Sequence, residues 1–193
     1  WEIGNEMDHW RIADPGAKGK PGGRQPPHVP MGGFTPEQQG RFVAEVAAII
    51  RENDPDAVIL MPGIAGLSPY VLETWLPGFV KGAGVDGFDV VGYHFYGPWS
   101  ELEGRRLALG TTLKRLGLSG KPVWLTETGS TSERSLRFRT DYPNSDESQA
   151  ADVFRRIVTA WASGDEAAFW HSYLGSPNRP RNRWRGYGLV SPD

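Results

Sequence analysis

The chain has 193 residues, with 21 basic and 23 acidic side chains and a formal net charge of -2. This balance provides no basic field for a phosphate backbone, so we expect no nucleic-acid partner. No apolar run approaches the roughly 20 residues that cross a bilayer, so we expect no membrane partner either. Cysteine is absent, which excludes disulfides and thiolate metal sites.

A short apolar run at the start of the chain ends in an amide and a carboxylate. It reads Trp-Glu-Ile-Gly-Asn-Glu and finishes with Asn5 and Glu6. A natural N-terminus normally has a polar lead-in, whereas this one begins on a predicted strand. We therefore expect the chain to be the interior of a longer protein.

The stretch from residue 7 to 34 is rich in Gly, Pro, Lys and Arg and has no apolar periodicity. It predicts a long loop, which either shapes a cleft above Glu6 or is merely mobile. His9, Trp10 and Arg11 follow Glu6 closely, so they either line that cleft or are ordinary loop residues.

An amphipathic helix is predicted next. Residues 35–38 form a capping-box pattern with proline at the first helical position, and apolar residues then recur at helical spacing to about residue 54. The apolar run at residues 58–61, closed by Pro62 and Gly63, predicts a buried strand.

The alternation of helix and strand repeats three more times. Helical spacing predicts helices around residues 72–79, 102–116 and 153–161, the first of them broken or restarted at Pro77. Strands are expected at residues 88–96, 123–129 and 168–174. Five strands therefore alternate with four helices.

Such alternation predicts an α/β fold with a parallel sheet and right-handed crossovers. An open doubly wound sheet and a closed eight-stranded barrel both fit the count. Polar or aromatic residues end nearly every strand, as expected where barrel strands converge on the rim that holds an active site. No G-x-G-x-x-G follows a strand, which disfavours a doubly wound nucleotide binder. We therefore predict a (β/α)8 TIM barrel.

A complete barrel has eight strands and roughly 250 residues. We expect residues 1–193 to be a partial TIM-barrel catalytic domain, the C-terminal part from about strand four to strand eight. About three N-terminal strands and the last helix would be lacking. Such a fragment has open sheet edges and is expected to be unstable by itself.

The strand ends, taken in order, resemble those of a known superfamily. Trp-Glu-x-x-Asn-Glu, His-x-Tyr, Thr-Glu-x-Gly and an aromatic Trp are similar to the retaining glycoside hydrolases built on the (β/α)8 barrel. In that superfamily an acid/base glutamate follows an asparagine at the end of strand four, and a nucleophilic glutamate ends strand seven. The opening motif is also similar to arabinofuranosidase and xylosidase-like members, but it is too short to choose among them.

The resemblance implies that Glu6 is the acid/base and Glu127 the nucleophile. Cleavage with retention takes one carboxylic acid to protonate the leaving oxygen and one carboxylate to attack the anomeric carbon. We expect the two carboxyl groups about 5 to 5.5 Å apart, with Glu6 holding its proton and Glu127 ionised.

Four further residues are implied to bind the substrate. Asn5 resembles the asparagine that hydrogen-bonds the sugar hydroxyl next to the anomeric centre. His94 and Tyr96 resemble a pair that contacts the nucleophile and the sugar, and Trp170 resembles an aromatic floor beneath the cleaved sugar. Core packing is the alternative for Tyr96 and Trp170. His171 alternates with Trp170 and is expected to point outward.

Other chemistries fit the sequence less well. Metal sites usually bring several His to the rim, but the four His are scattered at positions 9, 28, 94 and 171, so we expect no metal and no cofactor. A catalytically silent barrel that only binds carbohydrate is the alternative to an enzyme, although both glutamates are present. The expected partner is a carbohydrate, and its identity would depend on loops 7–34 and 132–146.

Overall fold

A computed structural model describes residues 1–8, 10–12, 28–30, 33–132, 145–174 and 187–190. Its strands are β1 (Trp10–Ile12), β2 (His28–Pro30), β3 (Val91–Phe95), β4 (Val123–Thr128) and β5 (Ala167–Trp170). Its helices are α1 (Pro36–Asn53), α2 (Leu76–Ala83), α3 (Trp99–Arg115) and α4 (Asp146–Ala162), and a π-helical turn (Val71–Trp75) leads into α2.

A parallel sheet forms the centre of the structure. Its regular strands lie in the order β3, β4, β5. Isolated parallel bridges join Glu2 to Leu60, Asn5 to Gly63 and Leu60 to Val90. Five parallel segments therefore lie side by side in chain order, as predicted, although the first two are joined by single bridges instead of regular ladders.

The predicted loop from residue 7 to 34 contains a short antiparallel pair. β1 pairs with β2, with Arg11 opposite Val29. The prediction of a loop without strands is therefore wrong here, because three-residue strands are too short to show a periodicity in the sequence. His9 and residues 133–144 of the second predicted specificity loop lie outside the described residues.

The predicted helix signals match the local structure. The Thr35 side chain accepts from the Gln38 backbone N–H, and the Gln38 side chain accepts from the Thr35 N–H, which confirms the capping box. The restart at Pro77 is confirmed as well. Proline has no N–H to donate, and the turn before it widens so that Leu76 N–H donates to Val71 O.

The core lies between the sheet and the helices. Trp75 stacks on Phe79 at a centroid distance of 5.0 Å, and Phe79 contacts Phe88. α1 and α2 cross in close backbone contact at Gly82, where a Cβ atom would overlap the carbonyl of Glu37. No helix within the described ranges has both the length and the hydrophobicity to span a bilayer.

Helix α4 packs on the sheet through a polar face. Its buried residues are Gln149, Asp152, Arg156 and Ala160. Phe154 and Trp161, from the apolar stripe that predicted this helix, are 69% and 58% exposed. The stripe located the helix correctly, but it does not form the contact with the sheet.

Candidate active site

The predicted catalytic residues meet at the carboxyl ends of neighbouring parallel segments. Glu6 directly follows the segment that pairs with residues 60–63. His94 lies in β3, Tyr96 follows that strand, and Glu127 lies in β4. Because carboxyl ends of parallel strands face the same edge of the sheet, these side chains converge despite their separation in the sequence.

The backbone of Glu6 is held in an unusual conformation. Among the described residues it is the only non-glycine with a positive φ, at 48°. This region costs about 1–3 kcal/mol for an L side chain and persists only where the surroundings impose it. The N–H of Glu6 donates to the carbonyl of Gly63 at 2.9 Å, which ties the residue to the next segment of the sheet.

The two residues after Glu6 are anchored by contacts that the sequence did not reveal. Gln39 Nε2 donates to the carbonyl of Met7 at 3.0 Å, and Gln39 Oε1 accepts from Trp75 Nε1 at 2.8 Å. The buried Asp8 carboxylate accepts from the Ala65 N–H at 2.8 Å. These bonds fix the chain as it leaves the sheet and thereby hold Glu6 over its end.

His94 lies between the two glutamates. Its side chain is fully buried, and Nδ1 lies 2.9 Å from Glu6 Oε1 and 3.6 Å from Glu127 Oε2. One ligand atom from each of these three residues falls within 4.8 Å of the other two. The imidazole thus joins the two carboxylates, with Nδ1 hydrogen-bonded to Glu6.

Tyr96 holds the second glutamate. Its hydroxyl donates to Glu127 Oε2 at 2.6 Å. Burial, followed by the hydrogen bond to the Glu127 carboxylate, raises the pKa of Tyr96 above its ordinary value. The phenol therefore remains a donor at any pH at which an enzyme works.

Helix α4 fixes the strand ends that carry these residues. Arg156 is fully buried, and its Nε donates to Asp152 Oδ2 at 2.6 Å. Its remaining nitrogens donate to the carbonyls of Phe95 and Gly97 and to Thr128 Oγ1. One guanidinium thus ties together the residues that flank Tyr96 and Glu127.

The last strand brings an unexpected residue to the site. The rings of Tyr96 and His171 meet edge to face at 6.3 Å, so the prediction that His171 points outward is wrong. Trp170 pairs with Thr128 through the backbone, and the N–H of His171, the next residue, donates to the carbonyl of Thr128 at 2.8 Å.

The structure gives the positions of the two remaining predicted binding residues, Asn5 and Trp170. Their roles in substrate binding stay predictions. Trp170 Nε1 donates to the carbonyl of Tyr187 at 3.0 Å, and the Tyr187 ring lies 6.1 Å from that of Tyr96. Asn5 pairs with Gly63 through the backbone, directly before Glu6, and is exposed. Tyr187 is a further neighbour of the site that the sequence did not reveal.

A groove of about 650 Å³ lies elsewhere, between the π-helical turn and α3. Its walls include Arg105 and Arg115, which donate to the carbonyls of Leu67 and Leu72. Glu73 and Glu101 also line the groove, but Glu101 pairs with Arg105 at 3.3 Å, and no histidine or tyrosine is among the described residues that line it. We therefore place the candidate active site at Glu6 and Glu127.

Comparison with known proteins relates the fold to glycosidases. The chain aligns over 99% of its length with a glucosidase from Croceicoccus marinus, at 16% identity and a TM-score of 0.63, and covers 36% of that chain. It aligns fully with an α-L-arabinofuranosidase from Thermotoga maritima, at 15% identity and a TM-score of 0.64, and again covers 36%. It aligns over 89% of its length with fungal β-1,4-galactanases, at 16% identity and a TM-score of 0.63, and covers 51% of that chain.

These neighbours are TIM-barrel glycosidases, and the chain spans about a third to a half of their length. A small α/β unit with a parallel sheet is consistent with part of such a barrel. No protein-family model matches the chain, and no curated protein matches it either.

Proposed function

We propose that the chain carries the catalytic site of a retaining glycoside hydrolase, with Glu127 as nucleophile and Glu6 as acid/base. The observation that supports this most is the convergence of the two glutamates on Nδ1 of His94, with all three ligand atoms within 4.8 Å. Retention calls for carboxyl groups about 5 to 5.5 Å apart, whereas inversion needs roughly 6.5 to 9.5 Å to admit a water. One oxygen of Glu6 lies within 4.8 Å of one oxygen of Glu127, which supports the shorter of these two spacings.

In the first step Glu127 attacks the anomeric carbon and the bond to the leaving oxygen breaks. Glu6 gives its proton to that oxygen, and the sugar remains as an ester of Glu127. In the second step the Glu6 carboxylate takes a proton from water as the water oxygen attacks the anomeric carbon. The ester bond breaks, and both glutamates return to their starting states.

The neighbouring side chains support this division of roles. Tyr96 donates to one oxygen of Glu127, which fixes the orientation of the carboxylate. His94 bonds to Glu6 and lies near Glu127, so it fixes the position of the acid relative to the nucleophile. His171 and Tyr187 flank Tyr96 and would form part of the wall around the sugar.

We also propose that the five parallel segments correspond to strands four to eight of a (β/α)8 barrel. Large apolar side chains are exposed at both outer segments of the sheet, with Trp1 at 68% and Phe169 at 49%. Further exposed apolar residues lie on α1 and α4, at the same two ends: Phe42, Ile49, Phe154 and Trp161. Barrel strands and helices packed against these surfaces would bury them.

Hydrolysis of a panel of aryl glycosides by the full chain tests the function. Glu127→Ala should lower turnover of every substrate by about 10⁴-fold or more, since it removes the proposed nucleophile. Glu6→Ala should lower kcat/KM by about 10² to 10⁴-fold for poor leaving groups but spare a dinitrophenyl glycoside, which needs no proton.

Glu103→Ala, at an exposed position on α3, is the matched control and should match the wild type. Equal losses for Glu6→Ala on both kinds of leaving group would contradict the role given to Glu6. If no glycoside is hydrolysed by the wild type, a barrel that only binds carbohydrate becomes the better account.

A further inference from the structure

His94 has a second ring nitrogen that the contacts with Glu6 and Glu127 do not use. Nε2 is buried, and within the described part of the chain it has no hydrogen-bond partner. A buried polar atom without a hydrogen-bond partner is energetically unfavourable. A group close to Nε2 can therefore influence the tautomer and the orientation of the imidazole ring.

That group is the carboxylate of Glu2, across the backbone of Gly63. A Cβ atom on Gly63 would overlap Nε2 of His94 and would lie 2.9 Å from Oε1 of Glu2. Glu2 Oε1 is fixed there because it accepts the N–H of Gly63 at 2.9 Å, although the residue as a whole is exposed. Because glycine has no Cβ, the imidazole and the carboxylate both approach the same point in space.

We infer that Glu2 is a positioning residue that keeps a proton on Nε2 of His94, accepting it directly or through one water. The hydrogen bond at one ring nitrogen sets the tautomer and orientation of an imidazole, and carboxylates commonly serve this purpose. Glu6 and Glu127 face Nδ1, with Tyr96 bonded to Glu127, and Glu2 faces Nε2. The consequence for catalysis rests on the proposed function of Glu6 and Glu127.

Glu2→Gln tests this assignment without changing the length of the side chain. The amide oxygen can still accept from the Gly63 N–H, but the side chain loses the negative charge that holds the proton on Nε2. In ¹⁵N spectra of the imidazoles, the Nε2 signal of His94 should move from the protonated to the unprotonated range. A His94→Gln variant assigns the signal, and Glu52→Gln, at an exposed position on α1, should leave it unchanged.

The kinetic expectation is a fall in kcat of about ten-fold for Glu2→Gln, with KM changed by less than about two-fold and an unchanged Tm. Gly63→Ala should also displace the imidazole and lower kcat, since its Cβ overlaps Nε2. If that variant does not fold, Glu2→Gln still decides the question.

An Nε2 signal that is unprotonated in the wild type, or unchanged in Glu2→Gln, would overturn the assignment of Glu2. A changed signal with an unchanged kcat would overturn its catalytic consequence. The spectra do not depend on turnover, so a wild type that hydrolyses no glycoside would defeat the proposed function and leave the role of Glu2 to be decided by ¹⁵N alone.

Discussion

Two polar clusters lie back to back on β3. The helix-side cluster faces the helices, where the Tyr93 hydroxyl donates to Asp165 Oδ2 at 2.6 Å and Arg106 Nε contacts the other oxygen. The site cluster begins at the next residue of the strand and faces the end of the sheet. Its members are Glu6, His94, Tyr96 and Glu127.

The two clusters differ in how their acidic groups are matched. In the helix-side cluster one carboxylate faces one guanidinium and one hydroxyl, and the Asp165 side chain is 0% exposed. In the site cluster two carboxylates share one imidazole, and the Glu6 and Glu127 side chains remain 23% and 29% exposed. A closed cluster serves the fold, whereas acids whose oxygens remain accessible to solvent can act on a ligand.

The largest effect is expected when the helix-side cluster is broken. Asp165→Ala leaves the Arg106 guanidinium buried without its carboxylate and the Tyr93 hydroxyl without an acceptor. The free energy of unfolding in urea should fall by about 3–5 kcal/mol. Glu37→Ala removes an exposed partner of Lys81 and should cost far less. Similar losses for both variants would contradict a structural role for the helix-side cluster.

The two tyrosines should separate fold from function. Tyr96→Phe removes the donor to Glu127, and hydrogen bonds to charged groups contribute about 1.5–3 kcal/mol, so kcat/KM should fall roughly ten- to hundred-fold. The free energy of unfolding of Tyr96→Phe in urea should change little. Tyr93→Phe should show the reverse, with lower stability and nearly unchanged kcat/KM per folded molecule. Equal effects of both variants on kcat/KM would contradict the assignment of Tyr96 to catalysis and of Tyr93 to the stability of the fold.

The features that the sequence predicted correctly are those set by local patterns. The capping box at Thr35 and Gln38 and the restart at Pro77 each depend on a few adjacent residues. The convergence of Glu6 and Glu127 could be predicted because both end apolar runs and parallel strands share one edge.

The features that were missed depend on contacts between distant segments. The stripe of α4 that contains Phe154 is apolar, yet Arg156 on another face is buried against carbonyls that no local pattern reveals. The prediction for His171 counted alternation from Trp170 alone, but the His171 ring contacts Tyr96, which lies on another segment. The approach of Glu2 to His94 depends on the backbone of Gly63, which belongs to a third segment.

The smallest expected effect is a pH dependence that only the helix-side cluster should show. Burial raises the pKa of Asp165, although Arg106 and Tyr93 act against this. A carboxyl whose pKa is higher in the folded state contributes stability while protonated, and this contribution is lost as pH rises through the folded pKa. The difference in unfolding free energy between the wild type and Asp165→Asn should therefore shift against the wild type as pH rises above the ordinary pKa of an aspartate, about 3.9. A shift in the opposite direction would show that the ion pair outweighs burial.

The most direct test of the central claim is to identify the residue that becomes bonded to the sugar. The wild type would be incubated with a 2-deoxy-2-fluoro glycoside carrying a dinitrophenyl leaving group, digested, and analysed by peptide mass spectrometry. The fluorine slows release of the intermediate, so the peptide that contains Glu127 should carry one sugar, with fragmentation placing the ester on that side chain. A sugar found on Glu6, or hydrolysis with inverted product and no labelled peptide, would contradict the account.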